Sequence, residues 1–174
     1  LVRSRGLGDV YKRQDRARVL VALGDGDGAR RAQRLAARTA DAKRKSFQLW
    51  SLATLEHHLG DVDAALATLG RAMRCAIRDR ALLKAHAAYI KLDANMPVRD
   101  LHGVVEALRG SKNREGYGQF LLGMIAHHMG DRRLASVHLH AFQRRNASVD
   151  AAKALTLEQE LRRTRRVLAS LDAD

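Results

Sequence analysis

Three stretches of this chain align without gaps: LGDGDGARRAQRLAAR from Leu23, LGDVDAALATLGRAMR from Leu59 and MGDRRLASVHLHAFQR from Met129. Gly24, Gly60 and Gly130 occupy one column, each followed by Asp. Ala29, Ala65 and Ala135 stand five residues beyond the glycine, and Ala36, Ala72 and Phe142 stand twelve beyond it. The glycines are 36 and 70 residues apart, and the second interval is twice 35. A degenerate copy is therefore expected between the last two, with its turn near Asn95 in LDANMPVRDL.

Elementary chemistry turns that column into a helix–turn–helix unit. Glycine supplies the left-handed residue that closes one helix. Asp opens the next, where its carboxylate accepts backbone N–H groups and meets the positive helix end. A small Ala five residues on lets two helices approach closely. A unit of about 35 residues cannot bury its apolar face alone, so neighbouring units must stack. The rest of the composition agrees with an all-α chain. One proline (Pro97) and three phenylalanines occur in 174 residues, and the dominant Ala, Leu and Arg are good helix formers.

On Leu52, Gly60, Ala65, Leu69 and Ala72, and again on Leu122, Gly123, Gly130, Ala135 and Leu139, the sequence resembles the tetratricopeptide-repeat (TPR) family. The stronger copies run over about 46–77 and 116–147, while those ending near Arg38 and around Asn95 match poorly. Ala53 stands where the family usually has Gly, Phe142 where it has Ala, and the closing Pro is absent. A related helical hairpin repeat fits those departures equally. The resemblance implies stacked antiparallel helix pairs forming an α-solenoid whose first helices line a concave groove. By that register the groove residues are Phe47, Trp50, Thr54, His57 and His58 in one copy and Tyr117, Phe120, Met124, His127 and His128 in the other. A rotated helix phase would instead put Trp50 and Phe120 in the core. The basic residues of a carboxylate clamp are missing from these positions, which disfavours a chaperone tail as ligand.

Two segments stand outside the repeats. Ser4 to Gln14 matches, residue for residue, the in-frame translation of a sequencing-library adapter ending in a transposon mosaic end. Residues 1–14 are therefore expected to be non-native, with the natural sequence starting near Asp15 and its true amino terminus missing. Removing Arg3, Arg5, Lys12, Arg13 and Asp9 lowers the formal charge from +13 to +10. Residues 15–147 are read as helical repeats and 148–174 as a C-terminal capping helix starting at a Ser148 cap. There Ala154, Leu157, Leu161, Thr164, Leu168 and Leu171 form one apolar stripe, with Arg162, Arg163, Arg165 and Arg166 mostly off it. A short coiled coil is the alternative.

The charge makes anionic partners worth weighing, but 25 of the 32 basic residues are Arg. With abundant Ala, that is also what a GC-rich bacterial gene produces. Arg30, Arg31, Arg34, Arg38, Lys43, Arg44 and Lys45 make a basic face on a long helix and its end, with no interleaved aromatic before Phe47. RNA recognition calls for such interleaving, so a solvated face is the preferred reading and nucleic acid ranks below a protein partner. The sole cysteine, Cys75, permits no intramolecular disulfide and reads as a small buried hydrophobe in a cytoplasmic setting. A signal peptide goes unread because the natural start is expected upstream. No apolar run reaches the ~20 residues that span a bilayer.

Catalytic signatures are not legible. Gly24–Arg31 has neither a preceding strand nor the Gly-Lys-Ser/Thr of a phosphate loop, and the twelfth position of a calcium loop from Asp25 is Ala36 rather than Glu. Adjacent histidines on one helix point about 100° apart and cannot grip one metal. The expectation is a non-catalytic scaffold, without metal or cofactor, that binds a peptide or helix of another protein. The alternatives are the sensory repeat region of a larger transcriptional regulator and, lower, a basic RNA-binding solenoid.

Overall fold

The computed structural model describes Ala17, residues 19–148 and residues 157–173. The adapter-like segment 1–14 and Ala154 lie outside the described residues. Among those described, the chain is helical and contains no strand. The described residues form two compact units, divided between Ile77 and Arg78. The first holds α1 (Gly26–Thr39), α2 (Ala42–His58) and α3 (Val62–Cys75). The second holds α4 (Arg80–Asp93), α5 (Leu101–Arg109), a 3-10 turn (Lys112–Arg114), α6 (Tyr117–His128), α7 (Arg132–Arg145) and α8 (Glu158–Asp172).

The glycine column does what its chemistry requires. Gly24, Gly60 and Gly130 have φ of +79°, +82° and +76°, the region in which a side chain is strained. Around Gly60, the Gly60 N–H donates to the His57 carbonyl and the Asp61 N–H to the Glu56 carbonyl, each at 2.9 Å. The same pair recurs around Gly24 and Gly130. This double closure satisfies the carbonyls that a helix end leaves open. The following Asp then caps the next helix: Asp25 accepts from Gly28 N–H at 2.8 Å, Asp61 from Ala64 at 3.1 Å and Asp131 from Leu134 at 2.9 Å.

Asn95 takes the glycine's place in the third of the four turns in chain order. Its φ is +54°, its N–H donates to Leu92 at 3.0 Å, and Met96 N–H donates to Lys91 at 2.7 Å. Asn is among the few side chains that tolerate this conformation. The capping Asp follows only after the inserted residues 96–99. Asp100 accepts from Gly103 N–H at 3.1 Å, and the register then resumes. Eight residues beyond their capping Asp, Leu69, Leu108 and Leu139 are all fully buried. α4 and α5 pack together on either side of this turn.

The cores follow the repeat columns. In the first unit α2 packs against both α1 and α3. Ala29, Ala36, Ala53, Ala65, Leu69 and Ala72 are fully buried. Gln33 stands where the other copies have Leu, and its amide donates to the Gln48 carbonyl at 3.2 Å and the Gln48 Oε1 at 3.0 Å. That tie across α1 and α2 satisfies a polar group that would otherwise be costly to bury. In the second unit α6 and α7 meet closely at Gly123, where a Cβ would lie 2.6 Å from Leu139 Cγ. Phe120 and Phe142 fill this core with ring centroids 5.4 Å apart.

Three expectations are corrected. Cys75 is exposed, not buried, because it ends α3 and the inward position passes to Ala76. The basic face is not one long helix, since Ala40 and Asp41 separate α1 from α2. Two of its members are paired: Arg30 with Asp61 at 3.1 Å and Arg34 with Glu56 at 3.4 Å. The C-terminal helix does not run unbroken from Ser148, because Leu157 lies in a turn and α8 begins at Glu158. Within α8 an i, i+4 ion pair forms, with Arg162 Nη2 2.6 Å from Glu158 Oε1.

Candidate functional site

The ten groove residues divide between surface and core. On α2 the stripe holds an exposed ring: Phe47 is 45% exposed and lies edge-on to the half-buried Trp50, with centroids 5.9 Å apart. Thr54 is half-buried and donates to the Trp50 carbonyl at 3.1 Å. His58 is exposed at the helix end, but His57 is buried, 6.1 Å from it between ring centres. The four positions i, i+3, i+7 and i+11 from Phe47 to His58 therefore form one accessible face.

On α6 the register fails as a surface. Phe120 and Met124 are only 2% exposed and belong to the core. The cause is the crowd of elements around α6, which packs against α4, α5, α7 and α8. A helix covered on that many sides has little free face to offer. Tyr117 is half-buried, His127 is half-buried and His128 is exposed at the helix end. Burial and the neighbouring His128 lower the pKa of His127. Phe120, Met124 and His57 are thus corrected from ligand-facing to structural.

What α6 builds instead is an aromatic and ionic network with α4 and α8. His86, Tyr89, Tyr117 and Phe120 are linked ring to ring at 5.3–6.1 Å. Arg163 of α8 reaches α4, with Nη2 3.0 Å from Asp93 Oδ2 and a hydrogen bond donated to the Tyr89 hydroxyl. Its guanidinium also lies 5.7 Å from the Tyr89 ring centre. His128 Nε2 is 3.7 Å from Asp93 Oδ1. Tyr117 donates its hydroxyl to Glu160 Oε1 at 3.1 Å. Burial raises the Glu160 carboxyl to about 7, against the lowering effects of a backbone hydrogen bond, Tyr117 and Arg163. Burial also raises the Tyr89 phenol.

Neither Glu160 nor Arg163 was expected in a site. Sequence separations of 43 residues for Tyr117–Glu160 and 74 for Tyr89–Arg163 hide the pairing. One signal existed: Glu160 lies four residues before Thr164 and seven before Val167, on the same helix face as buried residues. A carboxylate on such a face demands a partner. Among the described residues no His, Cys, Asp and Glu cluster is arranged to hold a metal ion, and no helix is long and apolar enough to cross a membrane. Comparison with protein-family models, curated proteins and solved structures finds no match to this chain.

Proposed function

We propose that this chain is a non-catalytic, TPR-like helical-repeat module whose α2 face binds a peptide or helix of another protein. The observation that carries the reading is Phe47. A large ring left 45% exposed beside a half-buried Trp50 costs hydration free energy unless something covers it. Aromatic side chains are also the residues that dominate binding energy at protein interfaces.

The charge of the same helix suggests what kind of partner. Lys43, Arg44 and Lys45 form its first turn, and its one acid, Glu56, is buried against Arg34. A segment with an apolar anchor and flanking acidic side chains would complement this surface, with the charges setting orientation and association rate. The α-solenoid arrangement is part of the same proposal and rests on the recurrent glycine–aspartate turn.

Alanine at Phe47 tests the idea, because an exposed ring supports binding without supporting the fold. Partner capture should fall at least tenfold while the melting temperature stays within about 2 °C, less than the shift that 1 kcal/mol produces in a chain of this size. Equal capture by the variant would overturn the reading. An RNA-binding reading draws on the same rings beside Lys43 and Arg44, and predicts nuclease-sensitive capture that weakens steeply with salt.

A further inference from the structure

The second unit is closed by a helix whose inward face is unusual. α8 packs on α6 and α7 through Thr164, Val167 and Leu168, all buried, and the same face begins with Glu160, which is 2% exposed. Apolar burial alone would have been served by another Leu at that position. Instead the carboxyl accepts from Tyr117 on α6 at 3.1 Å, and three residues later Arg163 grips Asp93 on α4 at 3.0 Å. These two polar contacts fasten α8 across the rings of Tyr89 and Tyr117.

We propose that α8 is a proton-dependent strap over the aromatic core of the 78–174 unit, seated while the Glu160 carboxyl holds its proton and loosened when the proton leaves. A neutral acid keeps Oε1 as an acceptor for Tyr117 and tolerates removal from water. A carboxylate in the same place loses its hydration. Arg163 favours the carboxylate, but its guanidinium is shared with Asp93 and the Tyr89 hydroxyl, and burial outweighs it.

Among the described residues, the groups around the network include the following. α4 contributes His86, Tyr89 and Asp93, and α6 contributes Tyr117, His127 and His128. On α7, Arg145 lies beside Gly116, next to Tyr117, and Arg132 donates to the Leu171 carbonyl at 2.5 Å at the other end of α8. The seated value, about 7, lies above the ordinary 4.5, so the seated helix favours the protonated acid. Its stabilisation is full below about 4.5 and is lost as the pH rises to about 7.

Amide hydrogen exchange on the full chain, corrected for intrinsic exchange, reads the strap directly. Between about pH 5 and pH 8 the protection of α8 amides should fall at least tenfold, since one pH unit within the window is worth a factor of ten. Amides of α2 and α3 should change less than about threefold, because no part of the network lies in their unit. Glu160→Gln should abolish the step. Tyr117→Phe removes a donor that favours the carboxylate, so the step should move to higher pH. Equal protection of wild-type α8 at both pH values overturns the proposal, as does a step that persists in Glu160→Gln. Should that variant fail to fold, an unmoved step in Tyr117→Phe overturns it equally.

Discussion

Gly123 offers the sharpest test of how closely the repeat helices approach. It lies inside α6, so replacing it with Ala strains no dihedral and by propensity alone should stabilise the helix by about 1 kcal/mol. The structure predicts the opposite sign. The new Cβ would stand 2.6 and 2.7 Å from Leu139 Cγ and Cδ2, and 3.1 Å from the Leu139 backbone nitrogen. Carbon atoms pack best at about 3.5–4.0 Å, so the overlap approaches ~1 Å. The side chain can shift, but the backbone contact yields only if α7 moves. Overpacking of this kind costs about 1–3 kcal/mol, leaving Gly123→Ala destabilising by up to about 2 kcal/mol. Leu139→Ala alone should cost about 2–5 kcal/mol, since Leu139 is fully buried. In that background Gly123→Ala should cost clearly less or turn neutral, because the side-chain overlap is gone, part of the cavity is filled and only the 3.1 Å backbone contact remains. Chemical denaturation followed by far-ultraviolet circular dichroism gives all four corners of the cycle. Stabilisation by Gly123→Ala in the otherwise wild-type chain would refute the close α6–α7 contact.

Other outcomes follow from the same geometry. Ala65→Leu and Ala135→Leu should each cost about 1–3 kcal/mol by overpacking fully buried positions, read by the same denaturation. Gly130→Ala should lose about 1–2 kcal/mol through φ alone, since nothing lies within 4 Å of its added Cβ, whereas Asn95→Gly should be neutral or slightly stabilising. Cys75, being exposed, should react fully with a thiol reagent in the native chain, and mass spectrometry showing protection until denaturant is added would contradict its placement.

The turns were readable because their chemistry is local. A Gly followed by Asp specifies both a left-handed closure and a cap within two residues, and even the divergent turn at Asn95 kept a residue type suited to φ above zero. The buried Ala columns were readable for the same reason, since spacing from the turn fixes the face. Helix phase further from the turn was less legible. Phe120 and Met124 occupy the same repeat positions as Trp50 and Thr54, yet they are buried because α6 has more neighbours. The Glu160–Tyr117 and Arg163–Asp93 contacts depend on where α8 is laid, which no local pattern encodes. Cys75 was misplaced by one position at a helix end, where Ala76 turns inward instead.

The functional claim stands or falls on whether a partner covers Phe47. A photoreactive phenylalanine analogue placed there, in the intact chain in its native cells, would record whatever lies against α2. Val137 on α7, 54% exposed and equally apolar at the surface, supplies the control position. The account predicts a discrete, nuclease-resistant adduct from position 47, mapping to a peptide with an apolar residue and neighbouring acids, and none from position 137. No adduct at 47, or the same adducts at both positions, would contradict it.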